Sequence, residues 1–326
     1  MVEAGTIRYL SADDVEASLP SLDERLRLAE EALVALARGA AEMPPKIGIH
    51  PRPEAFVHAM PAYLRGRDLA GIKWVAGGYP DNARLGLPAI NALIVLNDPG
   101  TGAPTAILDG SRITAVRTAA VSGVAIRRFA PPDASRVALI GAGVQGNSHL
   151  PVVLGLLPGA AISIHDRHPE RAERLAERAR GLDGAGEIRT TPSAREAVEG
   201  ADVVVTMASF GPVRQVMTGE WLEPDALVVP VDFAMYCSAE VVRSAELFLV
   251  DDDPQFRYYR DLGYFDDYPD PAETLGQAIQ RGASRERRPA GRVVSTALGV
   301  GLADVVFGDA IVHRAIADGR GQLLSR

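Results

Sequence analysis

Apolar residues along this chain follow two rhythms, and each predicts a different architecture. From Leu22 to Ala37 they recur at helical spacing (Leu22, Leu26, Ala29, Ala32, Leu33, Leu36) with charges in the gaps, which predicts an amphipathic helix. From Ala55 to Asp109 the texture changes to short β-rich runs: AFVHAMPAYL, AGIKWVAG, AINALIVLND and PTAILDG. The turn NDPGTGAP between the last two is dense in Asp, Pro and Gly, as a hairpin connection is. Strands that follow one another without helices between them predict a mainly antiparallel sheet. A long helical stretch, SRITAVRTAAVSGVAIRRFA, then runs into Pro131 and Pro132, which stop it.

Past those prolines strand and helix alternate. RVALIGAG, AAISIHD, ADVVVTMAS, DALVVPVDF and AELFLVDD read as strands, and VQGNSHLPVVLGLL and PERAERLAERARGL as helices between the early ones. Strands that are apolar throughout and alternate with helices belong to a parallel sheet covered on both faces. The fold class expected is therefore α/β: a Rossmann-type doubly wound parallel sheet, plus a second α+β domain with a mainly antiparallel sheet. The boundary is placed near residue 130, with 1–130 as the α+β domain and 131–294 as the Rossmann domain. The closing stretch STALGVGLADVVFGDAIVHRAIADG reads as apolar helix. Either domain is open to it, and residues 295–326 are expected to pack back on the first.

Composition narrows the function classes. The 326 residues are 47% hydrophobic and 23% charged, with a formal charge of −8. No Lys/Arg block or aromatic-basic stripe appears, which argues against nucleic acid as a partner. The apolar segments break too early to span a bilayer, and the opening MVEAGTIRYLSADD lacks the layout of a signal peptide. A lone cysteine, Cys237, excludes an internal disulfide and fits a reducing cytoplasm.

Gly141, Gly143 and Gly146 spell G-x-G-x-x-G directly after an apolar strand and at the start of a helix. The first glycine permits the tight turn, the second lets a pyrophosphate approach the backbone, and the third lets helix and strand pack closely. The intervening Val144 and Gln145 open the helix, whose N-terminus faces the anion. The next strand ends in SIHDR, placing Asp166 where an acid accepts ribose hydroxyls. The plainer alternative, a glycine turn with Asp166 as a solvated loop acid, leaves that whole βαβ combination unexplained. The expected cofactor is NAD, on the sign of Asp166, with NADP kept open by Arg167 beside it.

Three cations sit in the first domain: Lys46 after EMPP, Lys73 inside GIKWVAG, and Arg117 inside ITAVRTAAVSG. Taken singly each has an ordinary explanation: a loop, a solvated sheet face, a side chain reaching the surface. Arg117, flanked by Ala, Val and Thr, lies in a stretch that looks buried, and a buried guanidinium needs an anion. His165 and His168 form H-x-x-H without an acidic or cysteine partner at metal spacing, so no metal site is expected. Nor is there a G-x-S-x-G elbow for a nucleophilic serine.

The segments MPPK, GIKWV, LNDPGTGAPTAILDGSRITAVRTAA, IGAGVQG and EWLEPDALVVPVDF, in this order, resemble the ornithine cyclodeaminase/mu-crystallin family, from about Pro44 to Glu240. That family includes cyclodeaminases, ketimine reductases and amino-acid dehydrogenases. The resemblance implies a Rossmann domain joined to an antiparallel domain that also makes a homodimer. It places the substrate-carboxylate arginine on Arg117, the lysine of the G-x-K strand on Lys73, the basic residue after the early Met-Pro on Lys46, and the pocket aspartate on Asp232. Arg117 with Lys46 would then anchor an α-carboxylate, Lys73 supply positive charge or a proton, and Asp232 move a proton on or off nitrogen.

Two departures from that pattern stand out. After Asp232 many relatives carry a short Pro-Gly turn, where this chain reads DFAMYCSAE with Phe233, Met235, Tyr236 and Cys237. The segment 256–271 holds Tyr258, Tyr259, Tyr264 and Tyr268, which fit either a lid or subunit contact, or a loop packed on the sheet. The function expected is an NAD(P)-dependent oxidoreductase acting on the C–N bond of an α-amino acid or its imine or keto form. Two alternatives stand beside it: a cyclodeaminase that releases ammonia and recycles NAD within the turnover, and an NAD(H)-binding sensor without turnover.

Overall fold

The β-rich runs pair as their short turns dictate. In a computed structural model, which describes residues 5–82, 84–284 and 290–326, the chain divides into two units, Met1–Arg117 with Val300–Arg326, and Thr118–Gly299. The division falls inside the helix Ser111–Phe129, between Arg117 and Thr118, and not at the prolines that end it.

In the first unit the strands Ala55–Leu64, Leu69–Gly77, Asn91–Asn97 and Pro104–Asp109 form an antiparallel meander with Met60, Lys73, Ile94 and Leu108 in one row. Ile47–Arg52 adds antiparallel to Ala55–Leu64. At the other edge Pro104–Asp109 pairs parallel with Thr6–Leu10, which pairs antiparallel with Gln322–Ser325. The sheet is thus mainly antiparallel. Along Asn91–Asn97 burial alternates: Ala92, Ile94 and Leu96 are buried and Leu93 is exposed, the signature of a sheet covered on one face. The covering element is the helix Gly301–Ala317, on which the amphipathic helix Leu22–Ala37 packs in turn. Glycine sets how near it comes: a Cβ at Gly308 would lie 3.3 Å from Ile94 Cγ2, and one at Gly71 3.3 Å from Val305 Cγ2. On the opposite face Ile47, Trp74 and Leu93 fall in one row through Ala59 and stay exposed, with Ile49 beside them.

The second unit is an eight-stranded sheet whose pairings are all parallel. Its order is Ile188–Thr190, Ala161–His165, Arg136–Ile140, Val203–Thr206, Leu227–Pro230, Val293–Thr296, Leu247–Val250, Glu273–Thr274. The first three strands in the chain build outward in one direction, and Val203–Thr206 starts the other. That reversal leaves a crevice at the carboxyl ends of Arg136–Ile140 and Val203–Thr206, where ligands of such sheets bind.

The closing stretch departs from expectation. Val293–Thr296 is a strand between Leu227–Pro230 and Leu247–Val250, and the helix starts only at Gly301. VVST is short, β-branched at three of its four positions and buried throughout, and its apolar run merges in sequence with that of the helix behind it. Among the described residues no helix is long and apolar enough to cross a membrane.

Candidate functional site

The glycine loop grows directly out of the strand Arg136–Ile140. Gly141 takes φ +108° and donates its N–H to His165 O at 2.8 Å. A Cβ there would lie 2.6 Å from the Met207 carbonyl oxygen, and one at Gly146 2.3 Å from Gly141 O. A Cβ at Gly143 would meet nothing within 4 Å. Two of the glycines therefore close the loop on its neighbours, and the middle one keeps its outer side open. The helix Val144–Leu156 that follows has no side-chain cap, while Ser11, Ser21, Ser193, Ser238, Asp252 and Thr274 cap theirs. Its first N–H groups remain uncommitted, and they suit an anion such as a diphosphate. Val144 is exposed beside them, and Gln145 Oε1 is buried without a hydrogen-bond partner.

Asp166 ties the next strand to this loop. Its Oδ2 accepts from Ala142 N at 2.7 Å and its Oδ1 from His168 N at 2.8 Å. Each oxygen keeps a lone pair for a ribose hydroxyl. Arg167 is exposed next to it. The two histidines are otherwise engaged: His165 ends the strand Ala161–His165 rather than lying in a loop, its Nδ1 3.1 Å from Thr191 O, and His168, just before the helix Pro169–Arg180, sits near Glu170.

In the first unit Lys73 and Arg117 converge on a carboxylate that sequence reasoning missed. Lys73 points to the helix-covered face and is 1% exposed, its Nζ 2.7 Å from Asp304 Oδ2. Arg117, also buried, donates from Nε to Asp304 Oδ1 at 2.9 Å. Asp304 rides on Gly301–Ala317 and is fully buried, reaching the sheet because the glycines let that helix come close. The one signal in the sequence is an acid inside the apolar run GLADVVFG.

Two cations thus share one anion, and Arg117 Nη1 stays buried with no hydrogen-bond partner. Burial first, and then the Arg117 charge, push the Lys73 ammonium down to about 7 against the pull of Asp304. Lys46, buried after Pro44 and Pro45, acts with Lys73 on His58. Burial above all, then the charges of Lys46, His50 and Lys73, hold that imidazole down at about 4. Lys73 and Arg117 are thus two cations on the one carboxylate of Asp304, an arrangement that favours a second anion carrying acceptors for a guanidinium.

In the second unit Asp232 lies just past the strand Leu227–Pro230 and is 4% exposed. Its Oδ2 accepts from Ala208 N at 3.3 Å. Burial pushes it up to about 6, opposed by the Thr206 hydroxyl and by the N–H groups of Ala208, Met235 and Tyr236. A carboxyl so placed exchanges a proton near neutral pH.

The residues that follow keep a sharp turn without glycine: Phe233 and Ala234 take φ +52° and +60°. Aromatic packing holds that backbone, with the Phe233 ring 5.2 Å from Tyr259, 5.6 Å from Phe265 and 5.8 Å from Tyr264. Cys237 is fully buried, and burial pushes its thiol up to about 12, which makes it inert. The tyrosine-rich segment sends part of its aromatics into the core of this unit, while Tyr258 stays exposed and Tyr264 half-buried. Tyr259 and Tyr268 are buried, and Tyr268 donates its hydroxyl to Cys237 O at 2.6 Å.

Known proteins resemble this chain over nearly its whole length. The model of the ornithine cyclodeaminase/mu-crystallin family matches residues 8–318. The nodulation efficiency protein NfeD of Rhizobium meliloti is 36% identical over 323 residues, 98% of each chain. The Δ1-pyrroline-2-carboxylate reductase of Thermococcus litoralis, solved with NADH and L-proline, superposes with a TM-score of 0.84 at 27% identity, covering 97% of this chain and 99% of that one. An archaeal alanine dehydrogenase dimer with bound NAD gives 0.85 at 26% identity, covering 98% and 99%.

Proposed function

The chain belongs to the ornithine cyclodeaminase/mu-crystallin family, and from that premise we propose that it is an NAD(H)-dependent oxidoreductase acting on the C–N bond of an α-amino acid and its imine or keto form. The observation that carries this reading is the orphaned Arg117 Nη1, buried among cations that outnumber their carboxylate. A substrate α-carboxylate supplies the missing charge and the missing acceptor, bound by Arg117 with Lys46. The open Gly143 and the uncapped helix behind it suit the diphosphate of a dinucleotide, and Asp166 favours the unphosphorylated ribose of NAD. The bound cofactor supplies or accepts the hydride.

Proton transfer falls to this chain's own groups. In the reductive direction protonated Asp232 gives its proton to the substrate nitrogen as that atom gains its lone pair. In the oxidative direction the carboxylate takes the proton back. Lys73, held near neutrality, offers positive charge or a second proton beside the carboxylate anchor. The relatives support this chemistry: one acts on a cyclic imino acid and was solved with NADH and L-proline, the other is an alanine dehydrogenase.

The test is an assay of the purified protein with NADH against cyclic imine carboxylates and against keto acids with ammonia. Loss of nicotinamide absorbance in step with substrate is the expected outcome. Ammonia release with catalytic NAD would replace the reading by cyclodeamination. Tight NADH binding without any turnover would replace it by a sensor.

A further inference from the structure

Beside Asp232 the second unit builds an aromatic wall whose outer ring is left half exposed. The loop that leaves Val203–Thr206 runs past Ala208, whose N–H reaches Asp232, and presents Phe210 two residues later. Phe210 is 52% exposed and Val213 in the same loop 68%. The Phe210 ring meets two half-buried rings at an angle, with its centre 6.0 Å from that of Phe233 and 6.1 Å from that of Tyr264. Met207, at the root of this loop, lies against Gly141, so the wall rises at the carboxyl edge of the sheet where its strand order reverses.

We propose that this wall receives the side chain of the substrate, which is therefore an amino acid or imine with an aromatic or bulky apolar group. The proposal rests on the reading of Asp232 as the proton-carrying residue. A group bonded to the carbon next to the reacting nitrogen lies within a few bonds of Asp232, which is the reach of Phe210. Exposed aromatic surface at a ligand crevice is what an apolar group covers to advantage. The charge on the wall points the same way. The Arg214 guanidinium sits 5.2 Å from the centre of the Tyr264 ring, with Nη1 directed to Gly263 O. A cation there disfavours the terminal ammonium of a diamino acid and leaves an uncharged ring or chain undisturbed. The left-handed turn at Phe233 and Ala234 holds the base of the wall in place of a glycine turn, which would carry no ring.

The experiment compares matched short and aromatic ligands on the NADH-loaded protein. Calorimetry with 3-phenylpropionate and propionate reads binding, and NADH oxidation with phenylpyruvate and pyruvate, each with ammonia, reads turnover. The aromatic member should win by at least about tenfold in both, since even a single methylene is worth roughly tenfold in an apolar pocket. Phe210→Ala should shrink that ratio about tenfold, and Phe210→Leu should fall between. Equal or reversed preference in the wild type overturns the proposal. So does a Phe210→Ala variant that loses NADH affinity and keeps the ratio, because the ring then serves the cofactor. Selective binding of 3-phenylpropionate through Phe210 with no NADH oxidation by any substrate would uphold the wall and sink the oxidoreductase reading instead.

Discussion

Lys73 and Arg117 hold the same carboxylate, so changing one changes the other. Arg117→Ala removes the proposed anchor of the substrate carboxylate, and it also lifts a repulsion that lowers the Lys73 ammonium. Truncating one partner of a buried charge pair costs about 2–5 kcal/mol, roughly 30- to several-thousand-fold in affinity. Titration calorimetry should show that loss for carboxylate substrates, while NADH affinity stays close to wild type. Asp232 makes a different prediction, in which function and stability oppose each other. It binds its proton more tightly in the folded chain, at about 6, than at the ordinary value of 3.8. Folding is therefore favoured fully below pH 3.8, loses that advantage between 3.8 and about 6, and bears the whole penalty above. Asp232→Asn removes the charge and should stabilise the protein at pH 7–8 by up to about 3 kcal/mol, with no gain near pH 3.5. Thermal melts at the two pH values check it. The same variant should bind substrate, turn over poorly, and lose the pH dependence centred near 6.

The glycine loop separates packing from binding within one element. Gly146→Ala drives a methyl into the Gly141 carbonyl oxygen and should lower the melting temperature sharply. Gly143→Ala meets open space and should melt within a few degrees of wild type, yet weaken NADH binding tenfold or more in a fluorescence titration. Asp166→Ala also loosens this loop, because the carboxylate bonds to Ala142 N. The measurement that isolates the ribose is thus the ratio of NAD to NADP affinity, which should narrow. This loop was legible in the sequence because its constraints are local: strand, glycines, helix and acid lie within one βαβ run. The helix Leu22–Ala37 was legible for the same reason, its period being set by one buried face. The strand Val293–Thr296 was not, since a short apolar run has no period that tells strand from helix. Alternation around Lys73 shows that two faces exist, but the one covered is set by a helix far along the chain. Asp304 lay beyond reach for that reason too, its bond to Arg117 spanning 187 positions.

At the scale of the whole molecule, the uncovered sheet face of the first unit and the discontinuity of that unit each have a consequence. The exposed row of Ile47, Trp74 and Leu93 suits the homodimer we propose, with a second copy of this chain burying it by two-fold symmetry. Sedimentation at micromolar concentration should report a dimer, and Trp74→Glu should weaken it at least tenfold. A monomeric wild type would refute the assignment. The first unit also draws on two stretches that flank the second, Met1–Arg117 and Val300–Arg326. A ribosome therefore delivers every residue of the second unit before the helix that carries Asp304. During that interval Lys73 and Arg117 have no buried counter-charge, and a sheet cannot close dry around two bare cations. The order of synthesis thus favours an order of assembly: the parallel sheet can fold early, and the sheet that carries Lys73 closes after Asp304 is made. A chain interrupted before Gly301 therefore leaves Lys73 and Arg117 without the carboxylate that neutralises them.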